Sequence, residues 1–299
     1  MSLPAVSVVM STRNRLASLR RSVEALWAVA TAHPWELVLV DNGSRDGTRE
    51  YLEALGRERA ASPQPRLLTA REERRGASAA RNKGWRMASA GLIAFTDDDC
   101  YVAPDYIDAV LAVFADSPDL GFASGRLLPY DPSDYRITIQ ESTDRRDYPP
   151  RTFIAAGGVS SANMVFRRAA LERIGGFDHR LGAGTFFPCE DIDAAAAALW
   201  AGLPGAYDPR LAVYHHHGRK TEREAEALRR GYDRGRGAYF ARYVARQASR
   251  REYRRAWMES ARSEYREPTR PGDYPMGRSL RELWGALCYV VSGVLPGAR

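Results

Sequence analysis

The chain has 299 residues, of which 44% are hydrophobic and 27% are charged, and this composition is typical of a globular protein and excludes a disordered or collagen-like chain. Its net charge of +7 favours anionic partners such as nucleotides, phosphates or an acidic membrane surface. The longest nearly uncharged apolar stretch, residues 283–298, is shorter than the ~20 residues that cross a bilayer, so no membrane-spanning helix is predicted.

The cysteines and the N-terminal residues indicate a compartment. Cys100, Cys189 and Cys288 have no paired spacing, which predicts a reduced protein without a disulfide framework. The first ten residues, "MSLPAVSVVM", lack the basic and apolar regions of a signal peptide and continue directly into strand-like sequence. We therefore expect a cytoplasmic protein. Peripheral contact with the inner face of the membrane is an open alternative.

Short apolar runs alternate with segments of helical periodicity over the first hundred residues. The predicted strands are 6–10, 35–41 ("WELVLVD"), 65–70 ("PRLLTA") and 91–96 ("GLIAFT"). The predicted helices between them are 16–27, 48–58 and 78–89. This alternation predicts a parallel sheet covered by helices on both faces. In such sheets ligands bind beyond the carboxyl ends of the strands.

Polar residues follow three of these strands. They are "STRNR" at 11–15, "DNGS" at 41–44 and three aspartates at 97–99. At the carboxyl edge of a sheet, an aspartate can accept a hydrogen bond from a ribose or a base, or hold a divalent cation. "DNGS" is equally compatible with a simple turn. Three adjacent carboxylates are harder to explain as a turn, because their repulsion requires a compensating cation.

The second half of the chain adds a flap, a helix start and a histidine tract. Residues 131–151 are polar and contain proline, which predicts a long surface segment, and a strand is predicted at 163–166 with a short helix behind it. After the glycine-rich loop 181–188, an alanine-rich helix is predicted to begin near Asp191, with Glu190 beside it. Carboxylates there are compatible with capping and with catalysis. The last predicted strand runs into three histidines, 215–217, which could supply an imidazole to a metal.

The sequence changes character after His217. Residues 218–299 are rich in Arg, Glu, Ala and Tyr with helical patterning, so we expect a helical C-terminal extension behind a first domain of residues 1–217. Within 283–298, the residues Trp284, Leu287, Val291 and Val294 recur at helical spacing. They would either pack on the body or lie on a membrane surface. The basic residues would form either a solvated helix face or a surface that contacts an anionic lipid. No nucleic-acid-binding module accompanies them, so nucleic acid is not a predicted partner.

Six segments together resemble the inverting family 2 glycosyltransferases with the GT-A fold. In chain order they are "VSVVMSTRNR", "ELVLVDNGSRDGT", "RGASAARNKGWRMASAGLIAFTDDDC", "GGVSSANMVFRRAALERIGGFD", "CEDID" and "VYHHH". The resemblance covers about residues 5–217 and implies a Rossmann-like, mostly parallel α/β sheet flanked by helices. It also implies a nucleotide-diphosphate sugar donor (UDP-, GDP- or dTDP-linked), a divalent cation (Mg²⁺ or Mn²⁺), and attack by an acceptor hydroxyl with inversion at the sugar.

The resemblance also assigns roles to individual residues. Those expected at the nucleotide-sugar are Thr12, Arg13, Asp41, Arg81, Asp97 and Asp98. Those expected at the metal are Asp97 and Asp99, the DxD pair, with His215 as the candidate among the three histidines. Cys100 stands where many relatives carry a further acid and is a poor ligand for a hard cation. The expected base is Asp191, with Glu190 as the alternative, and Asp193 should point elsewhere.

Chemistry explains why such residues are needed. A divalent cation neutralises the charge that develops on a leaving diphosphate, and a carboxylate on the opposite side takes the proton from the acceptor hydroxyl. The arginine-tryptophan motif of processive relatives has no match, since "EYRRAW" does not fit it, so we expect transfer of a single sugar in glycan, polysaccharide or glycoconjugate synthesis. Two alternatives remain: a catalytically silent nucleotide-sugar-binding protein, and a sugar nucleotidyltransferase, which would need a glycine-rich loop with a lysine after the first strand.

Overall fold

Four parallel strands form the N-terminal half of the sheet in the computed structural model, which describes residues 3–60, 65–266 and 276–294. In spatial order they are β3 (Arg66–Arg71), β2 (Trp35–Asp41), β1 (Val6–Thr12) and β4 (Leu92–Asp97). Thr12 pairs with Asp41, and Ser11 pairs with Asp97. This register brings the polar ends of three strands to one edge of the sheet, as the sequence predicted.

Helices cover both faces of the sheet. The helices of the body are α1 (Leu16–Trp27), α2 (Thr48–Arg59), α3 (Ala77–Met87), α4 (Tyr106–Asp116), α5 (Arg168–Ile174) and α6 (Glu190–Trp200). α1, α2 and α4 contribute to the apolar core on one face, and α3, α5 and α6 to the core on the other. Every residue of β2 is buried, because a strand covered on both faces has no solvent side. The predicted α/β architecture is confirmed.

The other half of the sheet is mixed rather than parallel. It consists of β5 (Cys100–Val102), β6 (Phe122–Pro129), β7 (Arg146–Tyr148), β8 (Met164–Arg167) and β9 (Gly205–His215). β8 runs antiparallel between β4 and β6, and β5 and β7 pair antiparallel with β9. The segment from β6 to β8 contains no α-helix, and a parallel return would have required such a crossover.

The predicted flap, residues 131–151, is attached to the body by the pairing of β7 with β9 and by further contacts nearer its start. Leu127 and Gln140 form an isolated antiparallel bridge, and Lys220 Nζ lies 2.6 Å from Asp131 Oδ2 and 2.7 Å from Asp134 Oδ1. Between these anchors, residues 137–140 face the carboxyl edge of the sheet. The flap is therefore held over the polar strand ends.

The C-terminal extension forms α7 (Glu222–Ala245), α8 (Arg250–Arg266) and α9 (Gly277–Val294). α7 begins with a capping box between Thr221 and Glu224. Tyr239 and Tyr243 of α7 are fully buried in the same apolar cluster as α6, and the Tyr243 hydroxyl donates to the Asp193 carbonyl at 3.0 Å. The hydrophobic core therefore continues across residue 217.

α8 and α9 pack on α7. Among the residues that the structure describes, no helix is long and apolar enough to cross a bilayer. Residues 295–298 of the predicted apolar stretch lie outside the described residues, as does the side chain of Val294. Within α9, Glu282 and Ala286 are buried, whereas Trp284 and Leu287 are more than half exposed. One face of this helix therefore packs on the body and the opposite face is exposed.

Candidate active site

A cleft of about 820 Å³ lies at the carboxyl ends of β1 and β4. Its walls come from these strand ends, the flap, the start of α6 and the side of α7. Its lining residues include Thr12, Arg13, Arg15, Asn42, Arg81, Asp97, Asp98, Asp99, Ser161, Glu190, Asp191, His215 and Tyr232. These side chains, which are spread over the chain from Thr12 to Tyr232, thus meet at a single site.

Arg15 compensates the charge of the adjacent aspartates. Its guanidinium lies 3.1 Å from Asp98 Oδ1 and 2.8 Å from Asp99 Oδ2. Asp98 also accepts a 2.6 Å hydrogen bond from the Thr12 hydroxyl. Burial raises the pKa of Asp98 to about 7, although Arg15 and Thr12 oppose this rise. Asp98 is thus a buried group that joins β1 to the end of β4.

Asp99 has a different environment. Burial alone would raise its pKa, but the hydrogen bond and charge of His215, together with Arg15, hold the pKa of Asp99 well below its usual range. His215 Nε2 lies 3.6 Å from Asp99 Oδ1, because the pairing of Cys100 with His215 joins β5 to β9. Asp99 is therefore an ionised carboxylate beside an imidazole.

The other two histidines do not approach this carboxylate. The His216 ring forms a 2.9 Å hydrogen bond with the Tyr101 hydroxyl. His217 Nε2 lies 3.1 Å from the Tyr135 carbonyl, and its Nδ1 lies 3.7 Å from Asp134. His215 is thus the histidine that the fold brings to the acidic cluster.

A divalent cation fits the donor set of this cluster. One potential ligand atom each from Asp99, Cys100 and His215 lie within 4.8 Å of one another. Burial raises the pKa of the Cys100 thiol well above its usual value, so this sulfur is a neutral thiol and a poor ligand. The remaining donors are a carboxylate oxygen and an imidazole nitrogen, with Asp97 adjacent at the end of β4. The carboxylate oxygens suit Mg²⁺ or Mn²⁺.

Arg81 joins the end of β4 to the start of α6. This buried guanidinium lies 2.7 Å from Asp97 Oδ1 and 2.6 Å from Glu190 Oε1, and it also donates to the Ser161 hydroxyl at 2.9 Å. The charges of Asp97 and Glu190 raise the pKa of Arg81 against the opposing effect of burial. Arg81 is therefore a permanent cation that fixes the spacing of two acidic motifs.

Asp191 lines the cleft without a cation partner among the described residues. Its carboxylate accepts hydrogen bonds from the backbone N–H groups of Ser161 at 3.3 Å and Ile192 at 2.7 Å. Burial, followed by the negative charge of Glu190, raises the pKa of Asp191 to about 7. Asp193 faces the opposite way, 3.0 Å from Arg242 Nε of α7. Of the acids at this helix start, Asp191 is the one poised to exchange a proton near neutral pH.

The remaining predicted nucleotide residues, Arg13 and Asp41, lie close to the carboxyl ends of β1 and β2. Arg13 Nη1 donates to the Asn42 carbonyl at 2.7 Å and lines the cleft. Asp41 is buried beneath it, where it accepts a hydrogen bond from the Ser44 N–H at 2.8 Å and lies 3.4 Å from Arg71. Its neighbour Asn42 lines the cleft instead. Direct contact between Asp41 and a nucleotide stays a prediction.

Four of the cleft residues named above were not among the predicted site residues: Arg15, Asn42, Ser161 and Tyr232. Asn42 is the neighbour of the predicted Asp41. Arg15 stands within the polar stretch that follows β1, so its type and position could have suggested a partner for the aspartates. Ser161 and Tyr232 gave no such signal. Tyr232 belongs to α7, and burial together with the negative charges of Asp191 and Glu190 raises the pKa of its hydroxyl. The extension thus contributes a side chain to the cleft beside Asp191.

Comparison with known proteins supplies the family. The sequence model described as glycosyl transferase family 2 matches residues 7–175, more than half of the chain. The chain belongs to this family. This match confirms the family resemblance inferred from the six motifs.

Individual relatives support the assignment. Validoxylamine A glucosyltransferase of Streptomyces hygroscopicus subsp. jinggangensis is 31% identical over 159 residues, which cover 52% of this chain and 36% of the relative. The chain spans 33% to 49% of the length of the first three curated relatives.

Solved structures show the fold. The mannosyltransferase PcManGT of Pyrobaculum calidifontis, in complex with GDP-Man and Mn²⁺, superposes with a TM-score of 0.65 at 21% identity, covering 100% of this chain and 78% of that one. Residues 1–349 of S. aureus TarS, in complex with UDP-GlcNAc, give a TM-score of 0.64 at 15% identity, covering 95% and 80%. The chain therefore has the GT-A fold.

Proposed function

We propose that this glycosyltransferase moves a single sugar from a nucleotide-diphosphate sugar to an acceptor hydroxyl, with inversion and with the help of a divalent cation. The observation that carries the proposal is the division of acids around one cleft. Asp97, Asp99 and His215 gather at the end of β4, whereas Asp191 stands apart at the start of α6. Structural neighbours bind GDP-Man and UDP-GlcNAc, which supports a donor of this class without choosing its base or sugar.

The donor end of the cleft would hold the leaving group. Asp99, His215 and Asp97 would hold Mg²⁺ or Mn²⁺, which when bound neutralises the charge of the departing diphosphate. The hydrogen bond between Thr12 and Asp98 would stabilise the strand ends that carry these ligands. Arg13, which lines the cleft, would contact the nucleoside.

Asp191 would act as the base. Glu190 is already paired with Arg81 at 2.6 Å, so its role in this proposal is to hold Arg81 and to raise the proton affinity of Asp191 by its charge. With a pKa of about 7, Asp191 is available to take the proton of an acceptor hydroxyl as that oxygen attacks the sugar. Transfer should then increase as the pH rises through about 7, because the base must be ionised.

The proposal is tested with purified protein and a panel of UDP-, GDP- and dTDP-sugars crossed with hydroxyl acceptors. Added acceptor mass and released nucleoside diphosphate are measured with and without Mg²⁺ or Mn²⁺. We expect metal-dependent transfer that Asp99→Ala abolishes. Asp105→Ala, which removes an exposed carboxylate outside the cleft, should retain it.

The base assignment needs a separate comparison. Asp191→Asn should bind the donor yet lose transfer, whereas Asp193→Asn makes the same chemical change on the same helix away from the cleft and should retain it. Retained transfer by Asp191→Asn would rule out Asp191 as the base. Tight donor binding without turnover by the unsubstituted protein, on every acceptor class, would instead favour a silent nucleotide-sugar-binding protein.

A further inference from the structure

The last described helix has two opposed faces. The buried face of α9 includes Ser279, Glu282, Ala286 and Tyr289. The opposite face, called here the outer face of α9, consists of Leu280, Leu283, Trp284, Leu287, Val290 and Val291. These six side chains recur at helical spacing and are each 47% to 61% exposed. They form a continuous apolar stripe that no described residue covers.

Such a stripe is unusual for a side of a protein that faces only water. Single exposed apolar residues are common, but a contiguous apolar patch on a monomer usually marks an interaction surface. The helix cannot rotate to hide the stripe, because its buried face is held by specific contacts. Glu282 Oε1 lies 2.5 Å from Arg236 Nε, and Glu282 Oε2 accepts a 2.8 Å hydrogen bond from Trp257 Nε1. Rotation would break both contacts.

The charge around this surface is strongly positive. Residues 218–299 hold 19 of the 44 lysines and arginines of the chain but only 10 of its 37 aspartates and glutamates. The extension therefore carries a net charge of +9, while residues 1–217 carry −2. Exposed arginines of α8 without an acidic partner among the described residues are Arg251, Arg254, Arg262 and Arg266. The apolar stripe thus belongs to the part of the molecule that carries the positive charge.

The basic and apolar faces both point away from α7. Tyr253 of α8 packs against Tyr243 of α7, with ring centroids 4.6 Å apart, and α9 packs closely on α7 at Gly237. α8 and α9 meet where the backbone N–H of Ser279 donates to Glu264 at 3.0 Å. The arginines of α8 therefore lie on the helix next to the one that carries the apolar stripe.

We propose that the outer face of α9 docks on an anionic lipid bilayer, with α9 lying in the interface and the α8 arginines contacting lipid headgroups. Apolar residues, an interfacial tryptophan and neighbouring cations are the features that place a helix on an anionic membrane without crossing it. Charge disfavours a second copy of this chain as the occupant, because pairing two such surfaces would bring two extensions of net charge +9 together.

The buried face of α9 also contacts the loop that precedes α6. Phe187, in the loop before α6, packs edge-on against Tyr289 of α9 with ring centroids 5.6 Å apart. The adjacent Phe186 is 47% exposed. The inference does not depend on the proposed transfer reaction, since binding to vesicles requires no turnover.

The test uses the full chain and two kinds of vesicle, phosphatidylcholine alone and phosphatidylcholine mixed with phosphatidylglycerol. Of the six tryptophans, all within the described ranges, Trp284 is the one classed as exposed. We expect sedimentation with the anionic vesicles and a blue shift of tryptophan emission, both weakened by salt. Trp284→Phe should still sediment but lose the blue shift.

Leu287→Glu is the diagnostic variant, and Leu3→Glu, at an exposed leucine of the N-terminal segment, is its matched control. Leu287→Glu should weaken binding about tenfold or more, since one buried leucine contributes about that factor, and Leu3→Glu should not. Both residues are exposed, and thermal unfolding by circular dichroism verifies that both variants fold. The proposal is overturned if the protein does not bind anionic vesicles, or if Leu287→Glu binds them equally well. It is also overturned if sedimentation velocity shows a dimer that Leu287→Glu dissociates while vesicles remain unbound.

Discussion

Two adjacent carboxylates at the start of α6 have opposite surroundings. Glu190 is paired with the buried Arg81, whereas Asp191 accepts only backbone N–H groups of the described residues. A difference of this kind assigns a structural role to one acid and leaves the other free to titrate. It also makes the proton affinity of Asp191 measurable through stability, without an identified acceptor.

Asp191→Asn should stabilise the folded protein relative to the unsubstituted protein above about pH 7, and to a smaller extent near about pH 4. The pKa of Asp191 is about 7 in the folded chain and about 4 when unfolded. The folded state therefore binds the proton more tightly. The protonated Asp191 therefore contributes its full share to the free energy of unfolding below about pH 4. This contribution is lost as the pH rises to about 7, because the unfolded chain releases the proton first.

Urea unfolding across this pH range measures the difference. The exposed Asp105→Asn is the control and should show no such pH dependence. A stability difference between Asp191→Asn and the unsubstituted protein that is equal at every pH would contradict the elevated pKa.

Arg81→Ala should lower the free energy of unfolding by about 3 kcal/mol, because it leaves Glu190 as a buried charge without its partner. Arg49→Ala removes an exposed ion pair with Glu53 on α2 and should cost less than about 1 kcal/mol. Equilibrium unfolding in urea at one pH compares the two variants. Equal effects would mean that the Arg81 pair is no more important for stability than a surface pair.

At the scale of elements, glycine decides how closely α7 and α9 approach. A Cβ atom at Gly237 would overlap the Glu282 carbonyl, and one at Gly285 would overlap the Arg234 carbonyl. The two backbones are therefore in direct contact, and this contact holds the buried face of α9 against α7. The apolar stripe on the opposite side is a consequence of that fixed orientation.

Gly237→Ala should destabilise the protein by about 1 to 3 kcal/mol, since the overlap forces the helices apart and outweighs the better helix propensity of alanine. A Cβ atom at Gly231 on the same helix would have Pro188 Cγ at 3.7 Å as its nearest neighbour, which is ordinary contact. Gly231→Ala should therefore be neutral or stabilising by up to about 1 kcal/mol. Thermal and urea unfolding distinguish them. If both variants gain stability, the two helices are not packed this closely.

At the scale of the whole molecule, the apolar core does not end where the sequence changes character. Tyr239, Tyr243 and Tyr253 of the extension lie in the same cluster as Ile192 of α6. Tyr232 of the extension also lines the cleft. Residues 1–217 and 218–299 differ in composition and charge, yet they share one hydrophobic core and one site.

A fragment of residues 1–217 should therefore fail to unfold cooperatively, because it exposes the apolar surface of α6 that α7 covers. Its far-ultraviolet circular dichroism and thermal transition are compared with those of the full chain. A soluble fragment with a sharp transition would show that the first 217 residues form an autonomous domain and that the extension is an accessory.

Much of the body could be predicted because its signals are local. β1 to β4 and the helices between them follow from apolar periodicity over stretches of 5 to 12 residues, and the acids at 97–99 and 190–191 follow from their position after a strand and before a helix. The reversed direction of β8 could not be predicted, because it depends on the path of residues 130–163. Sequence pattern within a strand does not record the direction of its neighbours.

The sequence by itself determined the family, the strand ends that carry the acids and the helix that begins at Glu190, since each rests on residues close together in the chain. Only the tertiary structure decided which partners those acids have. Arg15 reaches Asp99, His215 alone of three histidines reaches the same carboxylate, and Arg81 pairs with Glu190 rather than Asp191. These contacts depend on strand pairing and helix packing between distant segments, and the resulting burial and charge are what separate an ion-paired acid from a titrating one.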